Sequence, residues 1–192
     1  MPKGFTEQER INISEKLITE CKLSWQKYGY KKTSIDDLCK KVGISKGAFY
    51  LFFETKESLF METLKRVQKH LYRVVENVLS ENQNRDGIAK ALKEIYREYT
   101  KSSFMYETTS VDFLSFFNKL TEEQQKEINN DSYSGAKIML NKPFLKLKVS
   151  EELAVSVLSS VLYTISQREK MLCDPMDAFE FMIDNLVEAI FE

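Results

Sequence analysis

The segment 33–56, TSIDDLCKKVGISKGAFYLFFETK, constrains the fold more than any other stretch of the chain. Ser34 is a candidate helix N-cap, because its hydroxyl can accept a hydrogen bond from the first turn of a helix. Gly43 follows where a helix end needs a left-handed residue, which glycine adopts without steric cost. Ser45 is a second candidate cap. Between the caps, apolar residues recur at the spacing of one helix face: Ile35, Leu38 and Val42.

The pattern therefore predicts two short helices, over 34–41 and 45–52, joined by a glycine turn. Such an arrangement fits a helix-turn-helix, whose second helix enters the major groove of DNA. Lys46 and Lys56 each lie just inside a predicted helix N-terminus, where the helix dipole disfavours a cation by about 0.3–1 kcal/mol. A phosphate bound at those N-termini would reverse the sign of that effect. The alternative is that both are surface lysines tolerated at small cost.

The longer stretch GYKKTSIDDLCKKVGISKGAFYLFFETKESLF resembles the DNA-binding segment of the tetracycline-repressor (TetR) family of bacterial transcription regulators. The rest of the chain resembles the family only in length and helical character. The resemblance implies a DNA-binding head and a helical body that binds a ligand and forms a homodimer. It rests on a combination of short features: Gly29-Tyr30, Thr33-Ser34-Ile35, the run from Val42 to Gly47, Tyr50, Phe52-Phe53, and Lys56 followed by Leu59.

The resemblance also implies which residues contact DNA. Ser34, Tyr50 and Lys56 would contact phosphate, and the run from Lys46 to Phe49 would face or approach the bases. Lys46 is the side chain in this run able to donate to guanine O6 and N7. Tyr50 could instead belong to the core. The full predicted set is Thr33, Ser34, Ser45, Lys46, Gly47, Ala48, Phe49, Tyr50 and Lys56.

Glycine and proline are scarce, at 6 and 3 of 192 residues, so we expect an all-α fold. We predict a helix-turn-helix domain over 1–56 and a helical ligand-binding and dimerisation domain over 57–192. A helix over 56–80, about 37 Å long at 1.5 Å per residue, would link them. The other helices are predicted at 7–28, 88–102, 121–140, 150–172 and 175–192, with a polar loop over 80–87.

Charge is distributed unevenly along the chain. Residues 1–56 carry eleven Lys and Arg against seven Asp and Glu, whereas residues 57–192 carry seventeen against twenty-two. A basic head on an acidic body suits a protein that meets a polyanion such as an operator in double-stranded DNA with one end only.

Several other classes of protein are not supported by the sequence. The single histidine, His70, lies in a predicted helix, and no nucleophile elbow, GxGxxG, P-loop or HExxH motif occurs. We therefore expect no enzyme, no catalytic residue, no cofactor and no metal site. Cys21 and Cys39 fall on predicted core faces, and Cys173 is the one expected to be exposed. No apolar run approaches the roughly 18 residues of a membrane span, and the N-terminus lacks a signal peptide's apolar core, which predicts a cytoplasmic protein with no membrane partner.

The last two predicted helices are apolar around more than one side, so each must be buried on more than one side. Both could lie in the core of one subunit. The family resemblance instead implies a four-helix interface between two subunits. The predicted interface residues are Leu158, Val161, Leu162, Ile165, Met182, Leu186 and Ile190.

Aromatic and methionine side chains gather between residues 95 and 139. They could be ordinary core, or they could line a cavity for a small, largely hydrophobic effector, neutral or cationic. The predicted ligand-binding residues are Tyr99, Phe104, Met105, Tyr106, Phe113, Phe116, Phe117, Tyr133 and Met139.

The sequence thus predicts a homodimeric, ligand-responsive repressor that binds an inverted-repeat operator. The alternative is a helical small-molecule carrier, lipid carrier or scaffold protein without specific DNA binding. That alternative predicts no salt-dependent affinity for DNA.

Overall fold

The computed structural model describes residues 5–102, 104 and 107–192, apart from the side chains of 130–136 and 138. The regular structure in these ranges is helical, with one isolated antiparallel bridge between Leu147 and Phe191. The predicted all-α fold is confirmed. The helices are α1 (Glu7–Lys32), α2 (Ile35–Val42), α3 (Lys46–Phe49), α4 (Lys56–Glu81), α5 (Arg85–Thr100), α6 (Val111–Phe117), α7 (Glu122–Leu140), α8 (Glu151–Tyr163), a 3-10 helix (Thr164–Lys170) and α9 (Pro175–Ile190).

Helix α1 begins with a capping box, in which the Thr6 side chain and the Glu9 side chain each bind the other residue's backbone N–H. Its helical backbone is interrupted at Gly29, where φ is 80° and ψ is 172°. The sequence predicts a helix end at this glycine, and the break lies there. The chain then makes one further helical turn through Lys32.

The helix-turn-helix is built by its caps. Ser34 accepts a hydrogen bond from the N–H of Asp37 at 3.1 Å and begins α2, and Gly43 ends it in the left-handed conformation, with φ 81° and ψ 34°. Ser45 accepts from the N–H of Ala48 at 3.1 Å and begins α3. These predicted caps are confirmed.

The second helix is shorter than predicted. It ends at Phe49 rather than continuing to residue 52. The chain then continues in hydrogen-bonded turns, in which the N–H of Leu51 donates to Ala48 at 3.0 Å and that of Phe52 donates to Phe49 at 2.9 Å.

Two further predicted boundaries are wrong. Gly87 lies inside the first turn of α5 rather than in a loop, because Asn84 caps the helix by accepting from the Gly87 N–H at 2.9 Å. A Cβ at this position would lie 2.0 Å from the carbonyl oxygen of Asn82, so the close backbone approach requires glycine. Helix α8 ends at Tyr163, and the segment predicted to extend it is a 3-10 helix.

The chain forms two compact units. Unit 1 comprises the residues up to Gln68 together with Thr108–Thr121, and unit 2 comprises Lys69–Glu107 together with Glu122–Glu192. Helix α4 contributes to both units. The division of function at residue 56 stays a prediction.

The core of unit 1 surrounds Trp25, which is 2% exposed. Its ring centroid lies 4.7 Å from that of Phe60, 5.2 Å from that of Phe116 and 6.4 Å from that of Phe113. Cys21 and Cys39 are buried in the same unit, as predicted. Aromatic contact therefore joins α1, α4 and α6.

The core of unit 2 lies among α4, α5, α8 and α9. The rings of Tyr96 and Phe179 are stacked at its centre, with centroids 4.1 Å apart. Its other fully buried members include Ile88, Ala91, Leu92, Ala154, Ile165, Ile183 and Phe191.

Candidate nucleic-acid interface

The start of α3 presents small and exposed residues. Ser45, Lys46 and Gly47 are exposed, Ala48 is half-buried and Tyr50 is 49% exposed. A Cβ at Gly47 would meet only the Ser45 hydroxyl, at 3.9 Å. The backbone there is open to close approach from outside.

Lys46 forms an exposed ion pair within the head. Its ammonium lies 3.0 Å from the carboxylate of Asp36, and both side chains are more than half exposed. The hydrogen bond that Lys46 donates to Asp36, followed by the charge of that carboxylate, raises the pKa of Lys46. An exposed pair of this kind contributes little stability, so the ammonium can exchange Asp36 for another anion.

Two of the predicted DNA-contacting side chains are buried, and these predictions are corrected. Thr33 is 4% exposed, and its hydroxyl donates to the carbonyl oxygen of Gly29 at 2.7 Å. Phe49 is fully buried, with its ring 6.0 Å from that of Phe53. Thr33 follows the last turn of α1 and binds back to it, and Phe49 at the end of α3 packs on Phe53. Both side chains are therefore buried in the head instead of facing outward.

The hydroxyls of Ser34 and Ser45 serve as caps. That of Ser34 also donates to the Asp37 carboxylate at 2.7 Å. These caps fix the starts of α2 and α3. Contacts between their hydroxyls and phosphate stay a prediction.

Lys56 is half-buried against Tyr30. Its ammonium donates to the Tyr30 carbonyl oxygen at 2.5 Å and lies 4.0 Å from the centre of the Tyr30 ring. Burial lowers the pKa of Lys56. The ammonium thus has intramolecular partners, and its contact with phosphate stays a prediction.

A polar network surrounds the same tyrosine. The Tyr30 hydroxyl donates to the carboxylate of Glu57, and the Lys119 ammonium lies 3.3 Å from that carboxylate. Burial alone would raise the pKa of Glu57, but the hydrogen bonds from Tyr30 and Lys119 lower it overall. The network ties the start of α4 to the residues after α6.

Asp112, which the sequence interpretation did not single out, binds the end of α1. Its carboxylate accepts hydrogen bonds from the backbone N–H of Tyr30 at 2.6 Å and of Lys31 at 3.0 Å. The only local signal was an acidic residue in the first turn after the cap Ser110, which is ordinary for a helix. Its actual partners lie about eighty residues earlier in the chain.

The nine predicted ligand-binding residues are divided between the two units. Phe113, Phe116 and Phe117 belong to unit 1, where Phe113 and Phe116 are buried against Trp25. Because the rings of these two are covered by side chains of α1 and α4, the structure favours the alternative of ordinary core over a ligand pocket.

The remaining predicted ligand-binding residues belong to unit 2. Phe104 and Met139 are buried, and Tyr99 packs against the unit 2 core. Burial, followed by the charges of Tyr163 and Tyr72, raises the pKa of Tyr99 to about 12. Met105, Tyr106 and the side chain of Tyr133 lie outside the described residues.

Most of the predicted dimer-interface residues are buried within one chain, which corrects their assignment. The inward faces of α8, the 3-10 helix that follows it and α9 contain Leu158, Val161, Ile165 and Ile190, each at most 8% exposed. The prediction failed because both faces of these helices are apolar, and the sequence pattern did not show which one the chain itself covers. Leu162, Met182 and Leu186 are half-buried. The exposed apolar residues on these helices are Leu153, Tyr163 and Phe181.

Other kinds of site are not evident in the described part of the chain. Its His, Cys, Asp and Glu side chains form no group that could hold a metal ion. None of its helices is long and apolar enough to cross a membrane.

A capped helix-turn-helix packed on a long helix, followed by a helical body, is the architecture of a DNA-binding transcriptional regulator. Residues 24–63 match the family described as bacterial regulatory proteins, tetR family. The match covers the helix-turn-helix and the start of α4, so the head of this chain resembles the DNA-binding segment of tetR-family transcriptional regulators.

Two relatives are similar in sequence. The HTH-type transcriptional regulator YuxN of Bacillus subtilis (strain 168) is 35% identical over 107 residues, which are 45% of this chain and 37% of YuxN. IcaR of Staphylococcus aureus (strain Newman), the HTH-type negative transcriptional regulator of the biofilm operon icaADBC, is 28% identical over 75 residues, 39% of this chain and 38% of IcaR. The matches thus span less than half of either relative.

A solved structure extends the likeness in fold. FadR from Bacillus subtilis, a transcriptional regulator crystallised with stearoyl-CoA, superposes with a TM-score of 0.70 at 15% identity. The match covers 92% of this chain and 98% of the FadR chain. The fold likeness therefore includes both the head and the helical body.

Proposed function

We propose that this protein is a ligand-responsive repressor that binds an inverted-repeat operator as a homodimer. The observation that carries the proposal is the exposed surface of Lys46, Gly47 and Tyr50 on a helix-turn-helix fixed by the caps Ser34 and Ser45. The match to the tetR family covers this head. Repression, rather than activation, is supported by the relation to the negative regulator IcaR.

Selection of bound sequences from random duplex DNA tests this proposal. We expect an inverted repeat, because two heads related by a two-fold axis read two half-sites in successive major grooves. Binding should weaken steeply with salt, since each phosphate contact releases counterions. A carrier or scaffold protein would yield no enriched sequence, and that result would overturn the proposal.

The proposed dimer uses the outward faces of α8 and α9. A shallow groove of about 350 Å³ along α8 is lined by Ser156, Val157, Ser160 and Thr164, with a small exposed edge of the otherwise buried Val161. The small size of these side chains suits close approach of another helix. Phe181, 73% exposed on α9, would be covered by the second subunit. Of the residues predicted from sequence, the half-buried Leu162, Met182 and Leu186 stay in the proposed interface.

Sedimentation of two matched variants tests the interface. Phe181→Glu should give a folded monomer that binds the operator weakly, because a charge would be buried at the interface. Leu172→Glu, which changes an even more exposed apolar residue outside both helices, should remain a dimer. A dimer that tolerates Phe181→Glu at micromolar concentration would exclude this face.

The effector is proposed to be a small, largely hydrophobic molecule bound by unit 2. The fold likeness to FadR, which was crystallised with stearoyl-CoA, supports a ligand with a large apolar part, such as the stearoyl chain of that molecule. The candidate lining residues in the described part of unit 2 are Tyr99, Phe104 and Met139. Lys101 and Lys137 are exposed and form ion pairs with Glu98 and Glu151, which favours a neutral or cationic ligand over an anionic one.

The proposed effector site is tested by measuring the release of operator DNA as candidate ligands are added. A ligand releases DNA only if it binds the non-DNA-binding conformation more tightly. Tyr99→Phe, which keeps the ring and removes the hydroxyl, should change the concentration needed for release without changing affinity for the operator. Tyr99→Ala removes the whole ring. If this variant and the unaltered protein respond equally to an identified ligand, the ligand does not bind at Tyr99.

A further inference from the structure

Leu51 is a large apolar residue exposed immediately after the helix that would read DNA. It is 57% exposed, although Phe49 and Phe53 on either side of it are buried. A single exposed leucine is ordinary on a protein surface. This one is notable because it follows Gly47 and Tyr50 at i+4 and i+1, next to the proposed DNA-facing residues.

The backbone that carries Leu51 is held in place on both sides. Its N–H donates to the carbonyl oxygen of Ala48 at 3.0 Å, and its own carbonyl oxygen accepts from the Arg10 guanidinium at 3.2 Å. The same guanidinium lies 5.5 Å from the centre of the Phe52 ring. The side chain of Leu51 therefore points outward from a turn fixed by α1.

The neighbouring residues provide few groups that could read a base through hydrogen bonds. Gly47 and Ala48 have none in their side chains, and the Ser45 hydroxyl is engaged as a cap. The Lys46 ammonium is paired with Asp36. Lys46, whose pairing with Asp36 is exposed and weak, and Tyr50 are the other polar side chains beside Leu51. Discrimination on this surface therefore also draws on apolar contact.

We propose that Leu51 determines operator specificity by contacting the 5-methyl group of a thymine in each half-site. That methyl is the apolar group that base pairs present in the major groove, and apolar side chains contact it. The inference rests on the proposed DNA binding and deepens it by naming the chemical group that is recognised.

Replacing single thymines of the selected operator by deoxyuridine tests the proposal, because this change removes only the methyl group. With one thymine replaced in each half-site, two methyl contacts are lost, and the affinity of the unaltered protein should fall about 15-fold, or about fourfold for each methyl-sized group. Leu51→Ala should lose about the same affinity for the thymine operator. The variant should then bind the thymine and deoxyuridine operators equally.

Leu23→Ala is the matched control, because Leu23 on α1 is a leucine of similar exposure, at 50%. It should leave both affinities, and their ratio, unchanged. Thermal unfolding should show that Leu51→Ala is as stable as the unaltered protein, since the removed side chain is largely in solvent. Equal deoxyuridine effects in Leu51→Ala and the unaltered protein would overturn the inference while leaving the proposed function in place. Absence of any operator would instead overturn the proposed function, and the inference with it.

Discussion

Asp112 occupies the space that a side chain at Gly29 would need. A Cβ at Gly29 would lie 2.7 Å from the nearer carboxylate oxygen of Asp112, which is closer than real Cβ contacts allow. The backbone of Gly29, at φ 80° and ψ 172°, is itself in a region that is open essentially to glycine alone. Both the conformation and the carboxylate therefore require glycine here.

A double-mutant cycle measures this relationship. Gly29→Ala should lower the free energy of unfolding by about 1–3 kcal/mol from backbone strain alone, and by more when the Asp112 carboxylate is present. Asp112→Ala should cost about 1–3 kcal/mol, because the N–H groups of Tyr30 and Lys31 lose their acceptor. In the Asp112→Ala background, Gly29→Ala should lower the free energy of unfolding by about 0.5–3 kcal/mol less than it does when Asp112 is present. Urea denaturation measures both values.

Gly43→Ala is the control for this cycle. Gly43 also has a positive φ, of 81°, but a Cβ there would meet no atom within 4 Å. Gly43→Ala should lower the free energy of unfolding by about 1–2 kcal/mol. This loss should be the same with and without the Asp112 side chain. Equal coupling of both glycines to Asp112 would contradict the proposed steric relationship.

Phe116→Ala should destabilise the protein strongly, because its fully buried ring packs against Trp25, Tyr30 and Phe60. We expect a loss of about 3–5 kcal/mol in denaturant unfolding. Val111→Ala, in the same helix and 73% exposed, should change stability by less than about 0.5 kcal/mol. A well-folded Phe116→Ala protein that merely fails to respond to a ligand would restore the pocket assignment.

Lys56→Ala should weaken binding to all DNA sequences about equally and lower the slope of log K against log salt by about one. The reason is the loss of a phosphate contact beside the start of α4. Lys119→Ala is the control, because Lys119 binds the same network through Glu57 and is not expected to reach DNA. If Lys56→Ala lowers thermal stability but leaves the slope unchanged, Lys56 serves only its intramolecular contact with Tyr30.

One of the three thiols should react rapidly with Ellman's reagent in the folded protein. Cys173 is exposed, whereas burial raises the pKa of Cys21 to about 12 and burial also raises that of Cys39. Nucleophilic attack requires the thiolate, so the buried pair should react only after unfolding. Cys173→Ser should remove the rapid phase, and a rapid phase that survives this change would contradict the assignment.

Glu98 should contribute stability that is lost in acid. Its hydrogen bond with Lys101, at 2.6 Å, lowers its pKa, and the charge of His70 acts in the same direction. As pH falls below 4.5, the ordinary pKa of a glutamate, the Glu98 carboxylate is protonated more readily in the unfolded chain than in the folded protein. The stabilisation is complete above that value and disappears as pH falls through the lowered pKa.

Urea denaturation of Glu98→Gln across this pH range measures the effect. The variant should be less stable near pH 7 by about 0.2–1 kcal/mol, the usual contribution of a surface pair. The difference should shrink as pH falls below 4.5 and disappear once Glu98 is protonated in the folded protein. Glu94→Gln, which changes an ion pair of Arg97 on the same helix, reports the effect of an ordinary exposed pair. A stability difference between Glu98→Gln and the unaltered protein that grows in acid would contradict a lowered pKa of Glu98.

The helix starts could be predicted because caps act within three residues. Ser34, Ser45, Ser150 and Asp174 each bind a backbone N–H of the turn that they begin. Helix ends were less predictable where tertiary structure decides them. The chain leaves the helix after Phe49, and no local stop signal marks that point.

Assignments that depend on distant partners could not be made from the sequence. Periodicity identifies an apolar face but does not say which other segment covers it. Leu158 and Val161 therefore looked equally suited to a core and to an interface, and Phe116 to a core and to a pocket. The partners of Asp112 lie on another helix, so its spacing within α6 carries no information about them.

The position of Trp25 gives the protein an optical property. It is the only tryptophan in the sequence, and its indole is 2% exposed among rings from α4 and α6. Indole fluorescence from the whole chain therefore originates at one point, where residues 108–121 pack on the end of α1. Its emission should be blue-shifted and shielded from iodide while that packing persists, and should move to the red when water reaches the ring. Operator or ligand binding that loosens this packing can thus be followed in the unlabelled protein, in real time.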